Sequence, residues 1–163
     1  MGLSTTIIIF MALLKSGSKV FVDTSAWISL TVAQDSFHTE CKEIYKLIKA
    51  YRCQLVTTDA VLSETLTRLR YDSGFYTVAQ FYKTIEAAVR SGHLDLFWSS
   101  QEVFKKAWKI MEKFQDHSIS FVDCLSAVHA NDRKIEFMFT LDNDFVILGF
   151  TVLKGKGNRF KMT

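Results

Sequence analysis

The sequence predicts an α/β fold in three layers, α/β/α, around a mostly parallel central sheet. Two observations carry this. Short apolar runs of strand length alternate with stretches of helical period along the whole chain. No repeat, low-complexity segment or domain-dividing linker interrupts them. The 163 residues fit one domain, and 48% apolar with 23% charged residues is a globular rather than a disordered composition.

Lys19 to Asp23, KVFVD, reads as a short buried strand after the flexible Lys15-Ser16-Gly17-Ser18. Thr24 to Val32 reads as a helix, interrupted at Gln34-Asp35-Ser36. His38 to Tyr51 is helical, with Ile44, Leu47, Ile48 and Tyr51 on the 3.6 period. Cys53 to Thr57 is a second strand. Asp59 to Tyr71 is a helix with Leu62, Leu66 and Leu69 on one face, broken by Asp72-Ser73-Gly74. Phe75 to Arg90 is another, closed by Ser91-Gly92. His93 to Trp98 alternates as a strand, with Leu94, Leu96 and Trp98 on one side. Gln101 to Gln115 is a lysine-rich helix and Phe121 to Arg133 a further one. Glu136 to Thr140 and Phe150 to Leu153 are the last strands.

Residues 19–154 are thus expected to form the domain, with 155–163 a basic tail and 1–18 an N-terminal extension, disordered or artefactual. The octet Ile7 to Leu14 is too short to span a bilayer, which takes about 20 residues. No Lys or Arg precedes it, so it makes a poor secretory signal. Met1-Gly2 with Thr6 fits the loose myristoylation pattern, and Met11 is a second candidate start. The expectation is a cytoplasmic protein without membrane association. Cys41, Cys53 and Cys124 are odd in number and lack C-x-x-C spacing, which argues against a disulfide framework or zinc site. A net charge of +3 permits polyanion binding without arguing for it.

Open parallel sheets place their sites at the carboxyl ends of strands, so acidic residues there carry the functional question. Asp23 ends the first strand and Asp142 follows Phe139-Thr140-Leu141. Ser120-Phe121-Val122-Asp123 opens a helix as a capping box, and Glu64 lies one turn beyond Asp59. Each has a structural alternative. Asp23 is also a good helix N-cap, Glu64 a partner for Arg68, Asp123 the reciprocal cap of Ser120, and Asp142 a turn residue in Asp142-Asn143-Asp144.

Taken together, VDTSAW at 22–27, SETLTRL at 63–69, SFVDCLSAVHA at 120–130 and TLDNDF at 140–145 resemble the PIN-domain family in order and spacing. The resemblance runs from Val20 to about Leu153. Within the family, the VapC-type toxins of toxin–antitoxin pairs are most similar in length and in the SFVD motif. The resemblance implies a PIN-like fold in which Asp23, Glu64, Asp123 and Asp142 line one catalytic pocket and bind Mg²⁺ or Mn²⁺. Asp144 matches less strictly, as an alternative or supporting metal ligand, and is the member expected to be displaced. Hydroxyls stand at Thr24 and Ser120, as in the family, and at Thr140 in the last motif.

The chemistry agrees independently. Crowded carboxylates raise each other's pKa unless a counter-charge is present, and a hard divalent cation with oxygen ligands supplies one. Such an ion activates water, so no side-chain nucleophile is required. The chain has no G-x-S-x-G, H-E-x-x-H or Walker loop.

The implied activity is hydrolysis of RNA by the toxin of a type II pair, with RNA as substrate, a small antitoxin protein as partner and a homodimer as assembly. An RNA-processing PIN nuclease is the alternative. A receiver-like phospho-signalling domain fits less well, because Asp23 lacks an acidic neighbour and Asp95 sits inside HLDLFW. Lys154, Lys156, Arg159 and Lys161 either grip RNA phosphates or form a solvated tail. Phe75, Tyr76, Phe81 and Tyr82 load one helix with aromatics, which suits core packing, a dimer or an antitoxin groove. Trp27 is read as packing beneath the site, with base stacking the other reading, and His129 as a packed or partly exposed histidine.

Overall fold

Val20, Phe21 and Val22 are wholly buried, as a strand covered on both faces requires. They belong to β1 (Lys19–Val22), which in the computed structural model lies at the centre of a five-stranded parallel sheet. The structure describes residues 14–154. The other strands are β2 (Gln54–Thr58), β3 (Leu94–Phe97), β4 (Phe137–Phe139) and β5 (Thr151–Leu153). Their order is β3-β2-β1-β4-β5. The chain builds outward from β1 on one side, then returns to build on the other. The topological switch point therefore falls between β1 and β4, where open parallel sheets bind ligands.

The helices are α1 (Thr24–Thr31), α2 (His38–Ala50), α3 (Asp59–Arg90), α4 (Gln101–Lys113), α5 (Phe121–Asp132) and α6 (Asp144–Ile147). Asp23 caps α1, Thr58 caps α3 and Ser100 caps α4, each accepting a backbone N–H of the first turn. One core runs from Val20, Phe21 and Val22 through Ile48, Val56, Leu69 and Phe139. A second, smaller one is closed by Ala107, Ile119, Leu125 and Val128 between α4 and α5.

The elements depart from the sequence reading in several places. The break expected over Asp72-Ser73-Gly74 falls on Gly74 alone, at φ 82° and ψ 172°, so Asp72 and Ser73 stay helical. Glycine accepts positive φ because no Cβ clashes with its own backbone. The strand read as His93 to Trp98 stops at Phe97, leaving Trp98 74% exposed instead of on the strand's buried side. A short helix, α6, occupies what read as a turn after Asp142. Of the aromatic load on α3, only Phe81 is core, while Tyr71, Phe75 and Tyr76 are exposed.

Leu14, from the stretch read as an extension, is buried in the main core, and Ser18 N donates to Lys15 O at 3.0 Å to close the turn into β1. Residues 1–13 and 155–163, including most of the apolar octet and Lys156, Arg159 and Lys161, lie outside the described residues. Among the described residues, no helix is long and apolar enough to cross a membrane. Cys41, Cys53 and Cys124 form no disulfide among the described residues.

Candidate active site

The site begins with strand register. Val22 is paired with Phe139, so Asp23 and Thr140 leave neighbouring strands abreast, and Asp23 N donates to Phe139 O at 3.0 Å. Thr140 Oγ1 then donates to Asp23 Oδ2 at 2.8 Å. The same oxygen accepts from Ser25 Oγ at 3.0 Å and Ser25 N at 3.3 Å. The helix-cap alternative for Asp23 is therefore real, and it uses only one carboxylate oxygen. The other, Oδ1, is buried with no hydrogen-bond partner among the described residues.

That arrangement is costly for a charged group. Burial holds the Asp23 carboxyl above the ordinary carboxylate range, opposed by the hydrogen bonds from Thr140, Ser25 and the backbone of Thr24 and Ser25. An orphaned carboxylate oxygen at the switch point is the vacant valence a cation would satisfy.

Hydroxyls beside it lead to two other predicted residues, Glu64 and Asp142. Thr24, next in chain, donates from Oγ1 to Glu64 Oε2 at 2.7 Å, which joins the start of α1 to α3. On the other side Thr140 Oγ1 accepts from Asp142 N at 3.0 Å. Asp142 Oδ1 accepts from Asp144 N at 3.0 Å, so the turn alternative for Asp142 is also realised. Asp123 and Ser120 form the expected capping box, with Ser120 Oγ donating to Asp123 Oδ2 at 2.7 Å. Asp123, Asp142 and Asp144 each offer a carboxylate oxygen within 4.8 Å of the other two. Asp144, expected to be displaced, is instead a member of this trio and the first residue of α6.

Asp23 and Asp123 are buried, while Glu64, Asp142 and Asp144 are half-buried. The oxygen-only donor set suits a hard divalent ion and offers no soft ligand for zinc or copper. Lys154 Nζ donates to Asn143 Oδ1, which puts one basic residue beside the acidic turn.

Two features escaped the sequence reading. Ser25 bonds Asp23 Oδ2, lies 3.0 Å from Thr140 Oγ1, and accepts from Leu141 N at 2.9 Å. Its position two residues after an N-cap Asp was the available signal. The second is Trp98, which lines an apolar groove with Leu62, Leu66, Tyr82, Ile85 and Val89. Tyr71, Phe75 and Tyr76 do not line it. Trp27 is buried, edge-on to Phe81, and its Nε1 donates to Thr57 Oγ1 at 3.3 Å.

A parallel α/β domain that gathers carboxylates beyond the carboxyl ends of its strands has the architecture of a metal-dependent nuclease. The chain belongs to the PIN domain family, which matches residues 20–150. It is of the VapC type. It is 27% identical over 136 residues to the 23S rRNA-specific endonuclease VapC20 of Mycobacterium tuberculosis (strain ATCC 25618 / H37Rv), covering 83% of this chain and 98% of that protein. It is 25% identical over 119 residues to a VapC ribonuclease of Archaeoglobus fulgidus, covering 72% and 73%. The crystal structure of Mycobacterium tuberculosis VapC20, titled a sarcin-ricin loop cleaving toxin, superposes with a TM-score of 0.71 at 26% identity, over 81% of this chain and 96% of that one. VapBC2 from Rickettsia felis, solved bound to a promoter DNA fragment, shares the fold with a TM-score of 0.58 at 13% identity, over 82% and 96%.

Proposed function

We propose that this protein is a divalent-metal-dependent endoribonuclease and the toxin of a type II toxin–antitoxin pair. The observation that carries the metal reading is Asp23 Oδ1, buried and without a hydrogen-bond partner among the described residues. Asp23, Glu64, Asp123, Asp142 and Asp144 are the proposed ligands. Mg²⁺ or Mn²⁺ bound there supplies positive charge for the scissile phosphate and lowers the pKa of a bound water.

The chain's own residues do the rest. Thr140 and Ser25 hold Asp23 Oδ2 so that Oδ1 keeps one direction. Thr24 orients Glu64, and Ser120 orients Asp123. Lys154, with Lys156, Arg159 and Lys161 beyond the described residues, is proposed to engage RNA phosphates.

Similarity to an endonuclease named for 23S rRNA makes ribosomal RNA the first substrate to test. The partner is proposed to be a small antitoxin whose apolar segment fills the groove lined by Leu62, Leu66, Tyr82, Ile85, Val89 and Trp98. A homodimer acting in the cytoplasm completes the proposal, with Tyr71, Phe75 and Tyr76 exposed for contact.

The test is cleavage of purified ribosomal RNA in Mg²⁺, in Mn²⁺ and in EDTA, together with expression in growing cells. Cleavage that stops in EDTA and growth that stops on expression support the reading. Cleavage without growth arrest moves the protein to RNA processing, and no cleavage in either metal overturns it.

A further inference from the structure

Glu64 and Asp123, both proposed metal ligands, stand on two different helices, α3 and α5. Glu64 stands five residues into α3, after Asp59, and Asp123 stands six residues before His129 on α5. Asp59 and His129 meet through one residue of the loop between β3 and α4. Ser99 donates to Asp59 Oδ1 from its N at 3.1 Å and its Oγ at 2.8 Å, and Ser99 Oγ lies 3.2 Å from His129 Nε2.

The protons in this chain have one consistent assignment. A serine hydroxyl has a single proton, and Asp59 takes it. Ser99 Oγ must then accept from His129, so Nε2 carries the imidazole proton. Nδ1 is left as an acceptor, and Arg133 Nη1 donates to it at 3.1 Å and to His129 O at 3.2 Å. The Arg133 guanidinium lies 3.7 Å over the Phe97 ring, which stacks against His129 at 6.4 Å and 21°. Donation runs in one direction, Arg133 to His129 to Ser99 to Asp59, from a cation to an anion.

We infer that Asp59, Ser99 and His129 are positioning residues that set the spacing of Glu64 and Asp123 across the acidic pocket. This rests on the metal-nuclease reading of that pocket. His129 is wholly buried, and an apolar ring would fill its place without a polar group to satisfy. Directional bonds add what packing lacks, because apolar helix faces slide over each other while a hydrogen bond weakens steeply with angle. Metal ligands are sensitive to such support through the groups behind them. The imidazole is held neutral by burial and by Arg133, against Asp59 and Asp132, and Lys106 pairs with Asp132 at 3.1 Å.

The experiment measures Mn²⁺ binding by electron paramagnetic resonance, and RNA cleavage as kcat and KM, on the full chain. The variants are Ser99→Ala, His129→Phe, which keeps a ring against Phe97, and His129→Gln, which can still donate to Ser99. Leu69→Ala is the control for fold loss alone. Ser99→Ala and His129→Phe should weaken Mn²⁺ binding about tenfold and lower kcat, with KM for RNA within about twofold. His129→Gln should recover most of the loss, and Leu69→Ala should melt earlier without moving Mn²⁺ affinity. Ser99→Ala, on a half-buried loop residue, decides the matter if His129→Phe does not fold. Unchanged Mn²⁺ binding in Ser99→Ala overturns the inference while leaving the nuclease reading intact. Wild-type protein that binds no Mn²⁺ overturns both.

Discussion

Thr140 Oγ1 donates to Asp23 Oδ2 at 2.8 Å, joining the ends of two neighbouring strands that are 117 residues apart in sequence. The same hydroxyl oxygen accepts from Asp142 N at 3.0 Å. One buried hydroxyl thus orients the carboxylate that follows β1 and the backbone that leads to two more acidic positions, Asp142 and Asp144. Thr140→Val preserves shape and removes both bonds. It should destabilise the fold by about 1–3 kcal/mol, the cost of leaving buried polar groups unpaired. It should also slow RNA cleavage. Urea denaturation and a cleavage assay check this, and wild-type behaviour in both would show that Thr140 is incidental.

Asp23→Asn should separate stability from activity. Burial raises the folded-state pKa of Asp23 above its ordinary value of 3.8. A raised pKa means the folded state holds its proton more tightly than the unfolded one. The contribution to stability is therefore full below about 3.8 and is lost as pH rises through the folded value. Keeping this buried carboxyl charged is a cost in metal-free protein. Asparagine removes that cost and keeps an acceptor for Ser25 and Thr140. The melting temperature in EDTA should rise by a few degrees, at about 2–4 °C per kcal/mol. Cleavage in Mg²⁺ should fall at least about 100-fold, through the loss of a charged ligand. A variant that cuts at the wild-type rate would exclude Asp23 from the chemistry.

His129 gives the opposite pH sign. Its folded-state pKa lies below the ordinary 6.5, chiefly through burial and then through Arg133. Below pH 6.5 the unfolded chain takes up a proton that the folded chain refuses. The stability contribution is therefore full above 6.5 and is lost as pH falls through the folded value. Denaturation midpoints of wild type and His129→Phe, measured from pH 7.5 to 5, should converge on the acid side. A constant difference would mean that His129 does not titrate in this window.

Inhibition by the proposed antitoxin should respond to metal. A partner that places Arg or Lys in the acidic pocket competes with Mg²⁺ for the same carboxylates. One that holds only the apolar groove does not. Trp98→Ala should weaken the complex roughly tenfold or more if the groove is the anchor, given the weight aromatic residues carry at interfaces. Calorimetric titration of the partner at rising Mg²⁺ separates the two modes. Affinity indifferent to both Mg²⁺ and Trp98→Ala would put the partner elsewhere.

By itself the sequence determined the alternation of strand and helix, the parallel sheet and the acidic positions at its carboxyl edge. These are local or periodic properties. KVFV is apolar at every buried position because a central strand has no polar face, and Asp23 follows it directly. The order and spacing of the four motifs then pointed to the PIN family, which the match over residues 20–150 bears out. Only the tertiary structure decided which oxygen of each acid is used by the backbone. Asp23 spends Oδ2 on Ser25 and Thr140 and leaves Oδ1 alone in the interior, which depends on strand register across 117 residues. It also decided that Asp144 joins Asp123 and Asp142, because a one-turn helix too short for any periodic signal begins there. His129 shows the same limit. In sequence it is one more residue on an apolar helix, with Arg133 one turn on, and its contact with Ser99 exists only once the β3–α4 loop has packed against α5.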